Sequence, residues 1–406
     1  MRRGENSYSI PIDLITEILS KLPAKSIARF SCVSKPWSSM LASPYFKELF
    51  FTRSLARPRI LFSVKRDGND LCFFSSSQPS NPYEKSSSLV VTADSHMKLP
   101  KDRLTSYCRH ALGLVYFCGP KEIVICNPST GQLALLPKVG MLSVRNYLGF
   151  DPVDKQFKVL SINFDKPDRV LTLGGTGGNS WRELYCPLKH FSTRGLHEEI
   201  CINGVLYFFA TQNNGLSHLI VCFHVRSEEF KFIYKDFLER EKRTYTDFIS
   251  HRGNTKLINY KGKLGVITLE YDYNLLDLDR HDPKGKKCSL KLCMSVIKDV
   301  ENPNSEWSEH VYTFWKTNQF FECSDVTTLW KDEVVGGDVS VVGVTAAGDI
   351  VLRMKNVSKP LYVFYLNIER NTLQRVEFRT ANHEAFEKCS SKVILSVDHV
   401  EDLHFI

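Results

Sequence analysis

No stretch of the 406-residue chain approaches the ~18 consecutive apolar residues that span a bilayer. The opening MRRGENSYSIP carries two arginines with no apolar run behind them, so neither a membrane span nor a secretory signal is expected. Cysteines are present but no two stand as C-x-x-C, and the nearest pair, Cys288 and Cys293, has four residues between. Cys72, Cys118, Cys126, Cys201, Cys222 and Cys293 lie in or beside apolar runs, where a free thiol behaves as a small hydrophobe. This placement speaks against zinc and disulfides and for reduced thiols in the cytoplasm, the nucleus or both.

A concentrated basic stripe is also missing. The net charge is +8, but residues 1–57 hold nine Lys/Arg against four Asp/Glu, which leaves the rest of the chain near neutrality. The densest later cluster, Lys284–Lys287, sits beside Pro283 and Gly285 as a solvated loop tip would, so no nucleic-acid partner is expected. Patterns for catalysis and cofactors are equally scarce. LGGTGGNS (Leu173–Ser180) has no lysine after its glycines and no helix behind it, which excludes a phosphate-cradling loop and leaves a hairpin before Trp181. His218 and His224 share no helical metal spacing, and Asp272, Asp277, Asp279 and Asp282 lack the glycine and closing glutamate of a calcium loop. HExxH and nucleophile-elbow patterns do not occur. The expectation is a chain that uses no metal or cofactor and is no enzyme.

Two things are there. The first is a compact N-terminal stretch with helical spacing. Leu14, Ile15, Ile18, Leu19 and Leu22 form one apolar stripe, Pro23 ends it, and a second helix is expected over about Lys25–Val33. Ser34 can cap a third helix bearing Trp37, Met40 and Leu41, and Ser43-Pro44 reads as a break. Three short helices cannot bury that much apolar surface among themselves, and units below ~40 residues rarely stand alone. The surplus either docks on the rest of the chain or belongs to another protein.

The second is everything after Arg57. RILFSV, DLCFFS, SLVVTA, GLVYFC, EIVICN, QFKVLSI, RVLTL, GVLYFFA, LIVCFHV, KLGVITLEY, DIVLRM and LYVFYLNI are short runs divided by Gly, Pro, Asn and Asp turns. A loose unit recurs at Leu112–Leu133, Ile202–Ile233, Tyr260–Ile297 and Ala347–Val376, close to the ~40–50 residues of a propeller blade. Asp236–Asn254 and Asp277–Lys287 exceed what a blade needs, and Ser75–Ser88 reads as a polar connection.

The stretch IPIDLITEILSKLPAKSIARFSCVSKPWSSMLASPYF resembles an F-box, matching its opening, centre and close without a gap. LGFDPVDKQFKVL, RVLTLGGTGGNSWREL, EICINGVLYFFA, GVTAAGDIVL, YVFYLNIERNTLQRVE and SVDHVEDL, in that order, resemble the plant F-box-associated domain of type 3. The resemblance implies a small all-α F-box over residues 5–51 and an all-β, propeller-like (kelch-like) domain of five or six blades over 57–406. It further implies a Skp-type adaptor as partner, a cullin reached through it, and an unidentified target protein chosen by the propeller-like part for ubiquitination. Carried over by position, Ile10, Pro11, Leu14, Ile18, Leu22, Ile27, Val33 and Trp37 serve adaptor contact or the mixed core behind it. Pro36 departs from the polar or basic residue more usual there. The competing reading is a propeller enzyme or small-ligand binder with an unrelated helical prefix.

Overall fold

The computed structural model describes residues 10–403 apart from 67–69, 80–88, 100–107, 119–121, 138–144, 164–166, 175–179, 189–190, 193–197, 213–216, 235–254, 273–287, 303–304, 318–319, 324–338, 355–360, 371 and 381–388. Four helices come first: α1 (Ile12–Leu19), α2 (Ala24–Phe30), α3 (Lys35–Ala42) and α4 (Pro44–Leu55). The fourth corrects the sequence reading, in which Ser43-Pro44 was a stop. Ser43 is an N-cap whose Oγ accepts from the Phe46 N–H at 3.2 Å, and Pro44 occupies the first helical position, where its missing N–H costs nothing. α4 supplies Phe46 and Phe50, both fully buried and one turn apart. With Leu19, Ala24, Ile27 and Leu41 they form the core of the helical unit.

The rest of the described chain is β-structure. β1 (Arg59–Arg66), β2 (Leu71–Ser77) and β3 (Leu89–Leu99) begin the first blade; β4 (Cys108–Ala111), β5 (Leu114–Cys118), β6 (Glu122–Cys126) and β7 (Leu133–Pro137) make the second. The third holds β8 (Arg145–Asp151), β9 (Gln156–Ile162), β10 (Asp168–Thr172) and β11 (Arg182–Leu184). The fourth holds β12 (Phe191–Ser192), β13 (Glu199–Ile202), β14 (Val205–Gln212), β15 (Ser217–His224) and β16 (Phe230–Ile233). The fifth holds β17 (Thr255–Tyr260), β18 (Lys263–Asp272), β19 (Cys288–Ile297), β20 (Trp307–Thr317) and β21 (Phe320–Cys323). β22 (Val339–Val344), β23 (Ile350–Met354), β24 (Leu361–Asn367) and β25 (Thr372–Thr380) make the sixth. The last strand, β26 (Cys389–His399), returns to the first blade and pairs antiparallel with β1. Six blades are thus present among the described residues.

The units stack in a ring. β4, β8, β13, β17, β22 and β26 are the inner strands, each beside the next. Apolar clusters fill the spaces between neighbouring blades all the way round. Tyr147 stacks on Phe208 at 4.1 Å between the third and fourth blades, and Phe62 meets Phe378 at 4.9 Å between the first and sixth. Where β22 and β26 converge, a side chain on Gly343 would start 2.8 Å from a methyl of Val397, so glycine permits the approach. The seam is closed twice: by β26 on β1 at the inner edge, and by a parallel pairing of β25 with β3 further out. Two closures at one seam leave neither strand edge open there to pair elsewhere.

Strand polarity then assigns the two rims. The tight turns after the inner strands, Leu112-Gly113, Asn203-Gly204 and Lys261-Gly262, lie on one rim, with both residues of the latter two turns at positive φ. β1 starts and β26 ends on that same rim, and the helices sit there. The strand ends that flank 235–254 and 273–287 lie on the opposite rim, because each is reached by crossing the sheet once more.

Candidate functional site

The helical unit has an inside and an outside. On α1, Ile15 packs with Leu19 on the core, while Leu14 and Ile18, one turn apart on the other side of the stripe, are both 54% exposed. What reads in sequence as one broad stripe is therefore two faces: a core face and a face left to solvent. Ile10 extends the exposed side just before α1; Ile12, also exposed, stands across the helix from Leu14; and Val33, 64% exposed, lies in the turn between α2 and α3. Pro11 is exposed and serves as the N-cap of α1.

The remaining sequence candidates fall inside. Ile27 is 3% exposed and belongs to the core, because its position on α2 points between α4 and α1; it supports the face and does not form it. Leu22 and Trp37 are half-buried against the same core, with Trp37 5.5 Å from Phe30. Ser34 caps α3 as its position suggested, its Oγ accepting from the Trp37 N–H at 3.4 Å. Pro36 stands within the first turn of that helix.

Polar contacts brace the face from behind. Glu17 is held by Arg53 of α4 and by Lys21 at 3.2 Å, and the Arg53 hydrogen bond draws its carboxyl below the ordinary range. Arg57 donates to the carbonyls of Ser20, at 3.1 Å, and Lys21, so the open C-terminal carbonyls of α1 are capped from the segment that leads into β1. Thr16 donates back to the Ile12 carbonyl at 2.8 Å and lies 3.2 Å from the Met40 sulfur. These contacts make α1 a fixed platform.

Sequence reasoning missed two contributors. α4 was lost to the reading of Ser43-Pro44, although Phe46, Phe50 and Ser54 recur every four residues. The second is Leu403, near the far end of the chain, which packs on the helical core.

Elsewhere the candidates resolve into structure. Arg109 of β4 pairs with buried Glu199 of β13 and donates to the Asn146 carbonyl of β8 at 3.1 Å, joining three inner strands. Burial pushes the Glu199 carboxyl up to about 7, against the pull of Arg109. Cys72, Cys126 and Cys222 are buried, and Cys201 and Cys293 are half-buried. Trp181 packs on the cluster between the second and third blades, and β10 and β11 form the expected hairpin. His224 lies 3.8 Å from Glu301. The expected polar connection from Ser75 begins later than its sequence suggests. Ser75 is fully buried in β2, where its Oγ accepts from Arg59 Nε and bonds the His96 ring, both at 2.7 Å. Residues 80–88, Asp236–Asn254, Asp277–Lys287 and most of the glycine-rich hairpin lie outside the described residues. No described helix is long and apolar enough to cross a membrane.

A four-helix unit with one apolar face outward, ahead of a six-bladed ring, defines a class of two-part protein. The family comparison divides the chain in the same two parts. The F-box domain matches residues 8–49 and the F-box associated beta propeller domain matches residues 59–400. The chain belongs to the family of F-box proteins that carry this propeller. A putative F-box protein of Arabidopsis thaliana is 47% identical over 415 residues, covering 100% of this chain and 93% of its own length. Another Arabidopsis thaliana F-box protein is 40% identical over 444 residues, with 98% and 94% covered. F-box only protein 12 of the same plant is 42% identical over 375 residues, with 90% and 75% covered.

Proposed function

We propose that this protein is the non-catalytic substrate receptor of a Skp–cullin–F-box ubiquitin ligase, with residues 5–51 binding the adaptor and residues 57–406 holding the target. The observation that carries this reading is the outward side of α1. Leu14 and Ile18, with Ile10 just before them on the same side, are half or more exposed on a unit whose other side is already filled. A folded chain gains nothing by keeping apolar side chains in water, and clustered exposure of this kind marks an interaction surface. A Skp-type adaptor covers it, and a cullin is reached through that adaptor.

With the adaptor on the helices, target choice falls to the ring. The rim opposite the helices anchors both long insertions, Asp236–Asn254 and Asp277–Lys287, and loops on a rigid scaffold commonly carry recognition. Holding a target beside the ligase's activated ubiquitin raises its local concentration to the order of millimolar. That is the receptor's whole contribution to rate. The cytoplasm or nucleus, where such ligases work, is the corresponding compartment.

The test uses single charges on the outward side. Because Leu14 and Ile18 touch little of the helical core, Leu14→Asp and Ile18→Asp leave the unit folded by circular dichroism. Interface anchors carry ~2–4 kcal/mol each, so either variant weakens adaptor binding by roughly 30- to 1,000-fold in calorimetry. Unchanged affinity in both refutes the assignment.

A further inference from the structure

We propose that the four residues after the last strand, Val400–Leu403, are a positioning strut that fixes the adaptor-binding helices at one orientation on the propeller. The mechanical claim stands on contacts alone; its consequence for ubiquitin transfer rests on the receptor reading above.

Segments outside helices and strands usually run over the surface, exposed to solvent. Here Val400, Glu401 and Asp402 are 3%, 7% and 7% exposed although none is in a helix or strand. One side of the segment is fastened to the second blade. The turn Leu112-Gly113 passes beneath it so closely that a side chain on Gly113 would start 2.7 Å from the Val400 carbonyl oxygen. Asn127, fully buried in the turn after β6, donates its amide N–H to the Asp402 carbonyl at 2.8 Å. The same amide's oxygen accepts from the N–H groups of Ser129 and Thr130, at 3.0 and 3.3 Å, so the side chain is locked with its donor aimed at the segment.

The other side is fastened to the helices. Glu401 Oε2 accepts from the buried Ala24 N–H at 3.3 Å, at the start of α2. Pro23, the N-cap there, offers no side-chain cap, so a carboxylate 377 residues away does that work. Burial raises the Glu401 carboxyl, while Arg59 and the Ala24 N–H oppose the rise. Leu403, half-buried, then packs against the edge of the helical core. One short segment thus touches each half of the molecule.

Two lighter contacts flank it. Lys25 Nζ donates to the Ser95 carbonyl of the first blade at 3.1 Å, and Glu48 of α4 meets Lys155 of the third blade at 2.5 Å. Together with the strut these are three separated points on three successive blades, and three points fix the orientation of one rigid body on another. The exposed pairs contribute little by themselves. The strut is what makes the arrangement single. The same strand that closes the ring, β26, therefore also sets where the target-bearing rim stands relative to the adaptor.

The experiment measures orientation directly in the full chain, alone and with a Skp-type adaptor added. Spin labels on noncanonical residues at exposed Ser39 of α3 and exposed Tyr185 of the third blade report one interdomain distance by pulsed electron resonance. The native chain gives one narrow distribution. Leu403→Asp, Asn127→Ala and a chain ending at Val400 each broaden it at least twofold, while Leu403→Met keeps it narrow. In the Leu403→Asp and truncated chains propeller melting stays unchanged and adaptor affinity stays within twofold. An unaltered narrow distribution in both Leu403→Asp and the truncated chain overturns the proposal, as does broadening that appears only with loss of the propeller's own melting transition. If the unmutated chain fails to bind adaptor yet broadens as described on mutation, the receptor reading falls and the strut stands.

Discussion

Three imidazoles near the seam, His399 buried and the other two half-buried, make a pH dependence that can be worked out site by site. His96 of β3 bonds Ser75 at 2.7 Å, His110 of β4 bonds Ser63 at 3.0 Å, and His399 ends β26. Burial, reinforced by Arg59 and Lys25 against the opposing pull of Asp94, holds His96 down to about 4. Burial and Lys256 hold His110 down to about 3, and burial with the other two rings and Arg59 holds His399 well below the ordinary range. A histidine whose folded value is depressed is neutral in the fold and charges on unfolding. Its stabilising effect is full above the unfolded value of about 6.5 and is lost as pH falls toward the folded value. Between pH 7 and pH 5 this amounts to about 2 kcal/mol each for His96 and His110, the most their partly exposed rings can give.

The intact protein will display only part of that loss, because buried carboxylates run the other way. Glu199, raised to about 7, and Asp168, raised to about 6, are penalised when ionised and so gain stability as pH falls through the same window. Their combined gain, about 3 kcal/mol, nearly cancels the two histidines. The assay is therefore a difference. Urea unfolding of His96→Gln and His110→Gln is compared with the native chain at pH 7 and pH 5. Each variant is less stable at pH 7 and recovers by about 2 kcal/mol relative to native at pH 5. Labelled imidazole resonances assigned through those variants stay in the neutral position down to pH 5. Resonances that titrate near 6.5, or variants whose deficit is the same at both pH values, refute the reasoning.

Other expectations follow from single contacts. Arg109→Met removes the partner of buried Glu199 and costs about 3–5 kcal/mol above pH 7, whereas replacing both residues by apolar ones costs less than Arg109→Met alone, read from urea midpoints. Phe50→Ala opens the fully buried core of the helical unit, costing about 3–5 kcal/mol there, and strips adaptor binding while the propeller's melting transition holds. The thiols of Cys222 and Cys201, pushed up by burial to about 12 and about 11, resist alkylation at pH 8 until the ring unfolds. Exposed Cys32 reacts within minutes in the native protein; equal rates for all three would refute the assignment of buried thiols.

How far the fold was legible depends on where each strand sits in its blade. The runs recognised in sequence are mainly second and third strands: RILFSV is β1, GLVYFC and EIVICN are β5 and β6, GVLYFFA and LIVCFHV are β14 and β15. These are covered by neighbouring blades on both faces, so nearly every residue is apolar and the segment announces itself. Inner strands do not. CRHA is β4 and EICI is β13, and both carry the ion pair and imidazole that line the inner edge, which breaks the apolar pattern. The same mixing of roles obscured α1. Periodicity says which residues share a side of a helix, but Leu14 and Ile15 are adjacent on that side and only the packing of α4 decides which of them is covered.

The tail shows the remaining limit most sharply. SVDHVEDL carries information about the family, yet nothing local in it says that Glu401 caps a helix or that Leu403 packs against a core. Both partners stand nearly the whole chain length away, and a contact of that separation leaves no periodicity, spacing or composition for a single sequence to reveal. It is also a contact that only a closed ring can make, since the last strand reaches the helices by pairing with the first. The N-terminal surplus that first suggested docking turns out to have two recipients. Its inner part is met by the chain's own end, which joins the helices to the propeller. Its outer part, Leu14 and Ile18 with their neighbours, has no such cover within the described residues, and the receptor reading assigns it to the adaptor.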